Sequence, residues 1–327
     1  MSTSWLVTGG TGSFGHAFVR RLLDGDASRV VVLSRDELKQ AEMRQEFDDP
    51  RLRFFVGNVT SQPRVERAMR GVDYVVHAAA MKRIDTCEEN PAEAVETNVL
   101  GTMAVAYAVI AAGVKRAVFL STDKAAGPFT HYGATKLCAE RLWIQANVYA
   151  AGTPTRLSAT RYGNVIGSRG SVIPLWKEQA KNGEPLSITD PKMSRFWMTM
   201  QQAIDLVLLT IREMHGGEVF IPHVPSADMV TVAEAVAPRV PRKIVGVRRG
   251  EKLHETLISE DEARDTQVWS DHYRIEPERT WTDDDIPTRQ DQFPSLEGYR
   301  VVNAYRSDTN PWQLSVEEMR DLICEPQ

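Results

Sequence analysis

The chain has 327 residues, a formal net charge of −5, and 42% hydrophobic and 25% charged residues. That is the composition of an ordinary globular protein of one large or two packed domains, and its acidic balance offers no basic field to nucleic acid or an anionic membrane surface. No apolar run in the sequence approaches the ~18–20 residues needed to span a bilayer, and Met1-Ser2-Thr3-Ser4-Trp5 has no charged n-region or long apolar stretch, so no signal peptide is expected. Cys87, Cys138 and Cys324 are odd in number and far apart, which favours a reducing cytoplasm over a disulfide framework. The seven histidines show no HxxxH or Cys-pair spacing, so no protein-built metal site is expected.

The first half alternates strand-like and helical stretches. Apolar Ser4–Val7 precedes helical spacing over Phe14–Leu23, and the β-branched run Arg29–Leu33 precedes a helix over Leu38–Phe47. A strand is expected at Arg51–Val56, a helix over Pro63–Met69 with Pro63 in its first turn, and a strand at Asp73–His77. A long helix over Ala92–Ala112 ends at Gly113, followed by a strand at Arg116–Leu120 and a helix over Ala134–Ala150. Such alternation implies βαβ units and a parallel sheet covered on both faces. After Gly163 the chain becomes rich in glycine and proline, although Gln201–Met214 reads as a helix and Glu218–Ile221 as a strand that resumes the sheet. The expected fold is an α/β Rossmann-type doubly wound parallel sheet with a smaller mixed α/β C-terminal substrate lobe. Residues 1–168 form the dinucleotide domain, rejoined by about 196–224, and 169–195 with 225–327 form the lobe. Asp283–Asp285 reads as a solvated acidic loop.

Between the first strand and helix stands Thr8-Gly9-Gly10-Thr11-Gly12-Ser13-Phe14-Gly15. Glycines at this spacing allow a tight turn and close approach of a pyrophosphate to a helix N-terminus. At the end of the second strand an acidic residue would bind a ribose 2′-OH, whereas an arginine accommodates a 2′-phosphate. Here Leu33-Ser34-Arg35-Asp36 is followed by Lys39, so NADP is expected over NAD. Further on, Tyr132-Gly-Ala-Thr-Lys136 puts a phenol and an ammonium four residues apart on one helix face. A nearby cation favours the phenolate, which would make Tyr132 a base for a hydroxyl proton.

With Ser121-Thr122 just after a strand, these motifs resemble the extended short-chain dehydrogenase/reductase superfamily, whose members act mainly on nucleotide sugars. Asp123-Lys124 adds a carboxyl and an amine that water elimination needs and a simple epimerase does not: Lys124 as base at C5, Asp123 as acid for the 6-hydroxyl. Five further stretches look like the soluble, C5-inverting UDP-N-acetylglucosamine 4,6-dehydratases: Ser121–Ala126, Tyr132–Cys138, Arg161–Ser171, Met193–Met198 and Gly250-Glu-Lys-Leu-His-Glu255. The tail Asn310–Arg320 fits the same pattern, and retaining dehydratases usually carry Asp-Glu in place of Asp123-Lys124.

The resemblance implies conversion of UDP-N-acetylglucosamine to a UDP-2-acetamido-2,6-dideoxy-hexos-4-ulose with C5 inversion, in the cytoplasm, by a homo-oligomer without nucleic-acid or membrane partners. It implies catalysis by Thr122, Asp123, Lys124, Tyr132 and Lys136. It places NADP on Gly9, Gly12, Ser13, Phe14, Gly15, Ser34, Arg35, Lys39, Asn58, Val59, Ala78, Ala79 and Ala80, with Tyr132 and Lys136 at the nicotinamide ribose. It places the sugar nucleotide on Lys82, Asn164, Arg169, Arg195, Arg248 and Glu251. Departures from the family pattern stand at Asn58, at Met81–Asp85, at His131 and at Arg249; Arg83, Ile84, Asp85 and His131 fall near the expected sugar pocket. The alternatives are a UDP-hexose 4-epimerase, a retaining 4,6-dehydratase on another nucleotide sugar, and a non-enzymatic dinucleotide sensor.

Overall fold

The computed structural model describes residues 3–168, 170–248, 250–277 and 303–325; Arg169, Arg249 and the run Asp283–Asp285 lie outside them. The first five βα steps follow the predicted order. β1 (Thr3–Thr8) leads to α1 (Ser13–Leu23), β2 (Ala27–Ser34) to α2 (Glu37–Phe47), and β3 (Leu52–Val56) to α3 (Gln62–Ala68). Next come β4 (Tyr74–His77), α4 (Ile84–Glu89), α5 (Pro91–Val95), a π-helical segment Glu96–Leu100, and α6 (Gly101–Ala111). After β5 (Arg116–Leu120), α7 (His131–Gln145) begins three residues before its expected start, because the Thr130 side chain caps it by accepting from the Gly133 N–H at 3.0 Å.

Nine strands form the main sheet in the spatial order Thr266–Val268, His272–Ile275, Val219–Pro222, Arg156–Thr160, β5, β4, β1, β2, β3. All neighbours are parallel except the first two strands, which run antiparallel at one edge. The stretch around 266–275, expected in the substrate lobe, therefore lies on the main sheet: His272–Ile275 supplies an antiparallel partner for Val219–Pro222. The strand β6 (Arg156–Thr160) was not expected at all, because Ser158 and Thr160 are polar yet fully buried. Ser158 donates to Glu218 at 2.6 Å and its carbonyl accepts from the Trp143 indole, so burial there is satisfied by hydrogen bonds.

Successive β1 residues point to opposite faces. Leu6 joins one core with Val75, Val105, Phe119 and Trp143; Val7 joins the other with Phe18, Val32, Val76 and Ile204. By length and composition, the continuous helix Pro91–Ala111 is apolar enough to cross a bilayer, with mean hydropathy 1.4 over its window, contrary to the expectation that no such run exists. Over half of that window (56%) is buried, and Ala104, Val105, Ala108 and Val109 pack into the sheet core, the pattern of a core helix.

The lobe has its own apolar centre, built around Ile166, Trp176, Ile188, Trp197, Val232 and Met319. Pro174, within the stretch rich in glycine and proline after Gly163, sits in the first turn of α8 (Val172–Lys181), where a missing N–H costs no intrahelical bond. A short parallel-then-antiparallel sheet, β7 (Asn164–Val165), β9 (Ser194–Met198) and the strand Ser226–Asp228, carries the lobe to the cleft, and between them in sequence β8 (Leu186–Ile188) pairs in parallel with Arg242–Ile244.

One buried ion cluster ties the lobe side to the main domain. Arg161, fully buried, donates to Glu140 of α7 and to both carboxylate oxygens of Glu262 at 2.9 Å. Burial would raise the Glu262 carboxyl, but the Arg161 guanidinium outweighs it and holds the group at about 2. Its contribution to stability is therefore full above the ordinary glutamate value of 4.5 and is lost as the pH falls toward 2. Arg161→Leu leaves two buried carboxylates facing each other and is expected to cost ~3–5 kcal/mol of unfolding free energy in urea titration at neutral pH; a loss below ~1 kcal/mol would contradict this role.

Candidate active site

Parallel strands with the order β3-β2-β1-β4-β5 create a switch point between β1 and β4, and ligands of such sheets bind outside the carboxyl ends of the strands there. The predicted site segments sit at those ends: Gly9–Gly15 after β1, Ser34–Asp36 at β2, Ala78–Lys82 after β4 and Ser121–Lys124 after β5.

The residues of the first turn fit a dinucleotide pyrophosphate. Gly9 has φ +67°, and a Cβ there would lie 2.9 Å from the Ala79 backbone. Gly12 is the N-cap of α1 and caps it with no side chain, so the helix presents its first N–H groups and the positive end of its dipole to the cleft. Gly15 lies against the turn itself, where a Cβ would come within 2.5 Å of the Gly10 Cα. Beneath the turn, Thr102 donates to the Asn98 carbonyl at 2.6 Å, so its oxygen accepts from His77 Nε2 at 3.0 Å; His77 Nδ1 then accepts from Thr8 at 2.6 Å. Burial, with Lys136 nearby, pushes the His77 imidazole down to about 3, which keeps this support neutral.

At the end of β2, Asp36 is the N-cap of α2. Its carboxylate accepts from the Lys39 backbone at 3.0 Å and from the Lys39 ammonium at 2.6 Å. Lys39 is thus committed to Asp36, whereas Arg35 is exposed and forms no ion pair among the described residues. Ser34 accepts from Gln40 at 2.9 Å. Asn58 accepts from the Thr60 N–H at 3.2 Å, and the Val59 side chain is committed to the core, 5% exposed.

The chemical cluster forms where α7 meets the end of β5. Gly133 makes this approach possible, because a Cβ there would stand 2.5 Å from the Lys124 carbonyl. Tyr132 is buried in the first turn of α7, within the influence of Thr122, whose hydroxyl donates to Asp123 Oδ1 at 2.8 Å. The Lys124 ammonium donates to the same oxygen at 3.0 Å and faces Glu255 at 3.4 Å. Asp123 is 1% exposed and its second oxygen has no hydrogen-bond partner among the described residues.

Lys136 Nζ donates to the Leu120 carbonyl at 2.6 Å and lies 3.9 Å over the Phe119 ring. The expectation that Lys136 lowers the Tyr132 pKa is corrected here. Burial dominates and pushes the phenol up to about 12, and the cation that opposes it is Lys124. Lys136 is itself brought down to about 7 by burial, against the pull of Glu140.

Among the substrate positions, Arg195 on β9 reaches the cluster by facing Glu255 at 3.7 Å, and it donates to the carbonyls of Ser194 and Leu253. Lys82 is exposed at the end of the β4 loop, and Asn164 pairs with Trp197 on the lobe sheet. Arg248 is exposed, and Glu251 accepts from its backbone N–H at 3.2 Å, closing that loop on itself. Of the departures, Arg83 and Asp85 pair with each other at 2.7 Å, Ile84 packs beside Tyr132, and the His131 ring is bonded to the Pro91 carbonyl.

Three site residues escaped the sequence reading. Asn98, in the π-helical segment, accepts from Met81 N–H at 2.8 Å and donates to Met81 O and to Thr135, clamping the β4 loop to α7. Lys252 donates to the Ala126 carbonyl at 2.9 Å, and Glu255 enters beside Lys124. Both lie within the quoted stretch Gly250–Glu255, which was the available signal.

Sheet order, glycine turn and Tyr132/Lys136 pair together define an extended short-chain dehydrogenase/reductase. The family described as polysaccharide biosynthesis protein matches residues 5–277, and the chain belongs to it. It is 43% identical over 322 residues, 97% of this chain and 96% of the relative, to UDP-N-acetylglucosamine 4,6-dehydratase (inverting) of Campylobacter jejuni. It is 41% identical over 278 residues, 83% of this chain and 82% of the relative, to UDP-glucose 4-epimerase of Rickettsia conorii. The X-ray structure of Pen from Bacillus thuringiensis superposes with a TM-score of 0.88 at 35% identity, covering 99% of both chains.

Gly15→Ala is expected to weaken dinucleotide binding at least tenfold in calorimetric titration, since the added methyl must displace backbone in the turn. Unchanged affinity would contradict the placement of the pyrophosphate at this turn.

Proposed function

We propose that this chain is a nucleotide-sugar 4,6-dehydratase that converts UDP-N-acetylglucosamine to a UDP-2-acetamido-2,6-dideoxy-hexos-4-ulose with inversion at C5. The observation that carries this reading is the buried Asp123–Lys124 pair, bonded to Thr122 and within reach of the Tyr132 phenol's charge balance. An epimerase has no step that requires it, and the 41% identity to a UDP-glucose 4-epimerase is the reason to test that reading directly.

NADP, held at the Gly9–Gly15 turn with Ser34 and Arg35 at its ribose, would supply a hydride acceptor and donor facing C4 and C6 of the sugar. The chain's own groups handle the protons. Burial alone keeps the Tyr132 phenol protonated; the positive charge of an oxidised nicotinamide beside it, added to that of Lys124, would favour the phenolate that takes the proton of the 4-hydroxyl, and Lys136 supports the ribose side. Once C4 is a ketone, the C5 hydrogen is acidic enough for a side-chain base.

In the sugar-free site Lys124 is an ammonium, because the Asp123 and Glu255 carboxylates outweigh its burial. One transfer along the 3.0 Å contact prepares both reagents: an N–H bond of Lys124 breaks and an O–H bond forms on Asp123. The amine can then take the C5 proton while the new carboxylic acid protonates the departing 6-hydroxyl. Reprotonation of C5 from the opposite face gives inversion.

Arg195 and Arg248 suit the diphosphate, since a guanidinium fork binds phosphate oxygens in pairs; Lys82, Asn164, Arg169 and Glu251 complete the proposed substrate set. Three free cysteines fit a reducing cytoplasm. Exposed Val95, Tyr107, Leu142 and Tyr149 on the α5–α7 side support a homo-oligomer.

Lys124→Ala and Asp123→Asn are expected to lower loss of water from UDP-N-acetylglucosamine by at least ~100-fold, read by product mass. Full turnover in both variants, or a 4-epimer in place of a dehydrated product from the wild type, would overturn the assignment. Arg35→Ala is expected to weaken NADP about tenfold while leaving NAD nearly unchanged; equal losses for both would remove the 2′-phosphate contact.

A further inference from the structure

Glu255 lies just before the strand Thr256–Ile258, and its backbone N–H donates to the Ser307 hydroxyl at 2.9 Å, which fixes the residue at the floor of the cleft. Its carboxylate is 2% exposed. One oxygen stands 3.4 Å from Lys124 Nζ and 3.7 Å from Arg195 Nε, and the other is buried with no hydrogen-bond partner among the described residues. A charged group so deeply placed is costly unless its surroundings use it.

The charged groups around it come from every side of the cleft: Lys124, with its own partner Asp123, from the end of β5, Arg195 from β9, and Lys252 from its own loop, whose ammonium also feels Asp123 and Lys124. Tyr132 feels Lys124 and Asp123 from α7. The neighbouring His254 turns away, bonded to Ser194 and facing Asp308.

We infer that Glu255 is a positioning residue for the proposed elimination: it holds the Lys124 amine from the side away from Asp123, and joins that amine to Arg195 of the substrate lobe. The inference rests on the reading of Lys124 as a proton carrier. With Asp123 alone, the flexible lysine would have one anchor; with two carboxylates its nitrogen is fixed between them and held as the ammonium until the sugar is in place. Glu255 also makes the Lys124 charge sensitive to what Arg195 binds, since both cations share one carboxylate. Among the described residues it has no ion pair with the cofactor turn and no hydrogen bond to Tyr132, so it acts on the proton carriers through Lys124.

The test compares wild type with Glu255→Gln, nearly the same shape without the charge, and Glu255→Asp, the same charge set back by one methylene. Lys124 is modified by a small amine reagent across pH without substrate and quantified by mass spectrometry, with surface Lys115 as internal control. The midpoint for Lys124 is expected to fall by at least about one pH unit in Glu255→Gln and by less than half of that in Glu255→Asp. With UDP-N-acetylglucosamine, kcat is expected to fall about tenfold or more in both variants, while KM stays within about twofold. An unmoved Lys124 midpoint in Glu255→Gln overturns the inference whatever reaction the enzyme catalyses. A moved midpoint with unchanged kcat overturns the positioning role. A wild type that labels as described but releases no water instead overturns the assigned reaction and leaves the contact to Lys124 standing. If Glu255→Gln does not fold, Glu255→Asp decides: unchanged kcat contradicts the inference.

Discussion

The site depends on keeping a carboxylate and an ammonium together out of water. Asp123 is almost fully buried, and Lys124 is three-quarters buried. Taking two such charges from water costs several kcal/mol each before they attract one another. The protein meets that cost locally: Thr122 donates to Asp123, Lys124 donates to the same oxygen, and Glu255 stands on the other side of the amine. An arrangement this costly adds little to folding that a well-packed apolar pair would not. In the proposed reaction its value would lie in a proton passing over the 3.0 Å contact, which changes an ion pair into a base and an acid.

The fold delivers those groups to one place by a single rule. Every parallel strand from β1 to β5 ends on the same side, and the chain reverses its winding between β1 and β4. The glycine turn, Arg35 and the Asp123–Lys124 pair therefore stand along one edge of the sheet though up to about a hundred residues apart in sequence. The helix α7 adds Tyr132 and Lys136 by packing its first turn directly on the 3-10 turn at Asp123–Ala125, which Gly133 alone permits. The lobe adds Arg195 and Glu255 from elements that pair with one another through an isolated bridge at Ser194 and His254.

Much of this was legible in the order of residues, and for identifiable reasons. Strands such as Arg29–Leu33 are continuous apolar β-branched runs because both faces are covered, and that signal is strong. The glycine turn and the Tyr132/Lys136 spacing are local patterns, so sequence displays them whole. The strand Arg156–Thr160 was hidden because its buried Ser158 and Thr160 look like loop residues; only the distant Glu218 explains the serine. The edge strands at 266–275 were hidden because pairing with Val219–Pro222 is a long-range choice. The electrostatics were the least legible. Spacing alone says that Lys136 should favour a Tyr132 phenolate, but it cannot show that both are buried, that Lys136 is turned to a carbonyl, and that Lys124 is the nearer influence. Glu255 was in view only as part of a motif, with no hint that it would meet Lys124.

The most direct test of proton exchange at C5 is to run the reaction on UDP-N-acetylglucosamine in heavy water and examine the product by mass spectrometry and NMR. Removal of the C5 proton by a side chain and its return from the other face predict a product lighter by one water, with one solvent deuterium at C5 and the opposite configuration there. A product that keeps all its oxygen, carries no deuterium at C5, and differs from the substrate only at C4 would contradict it.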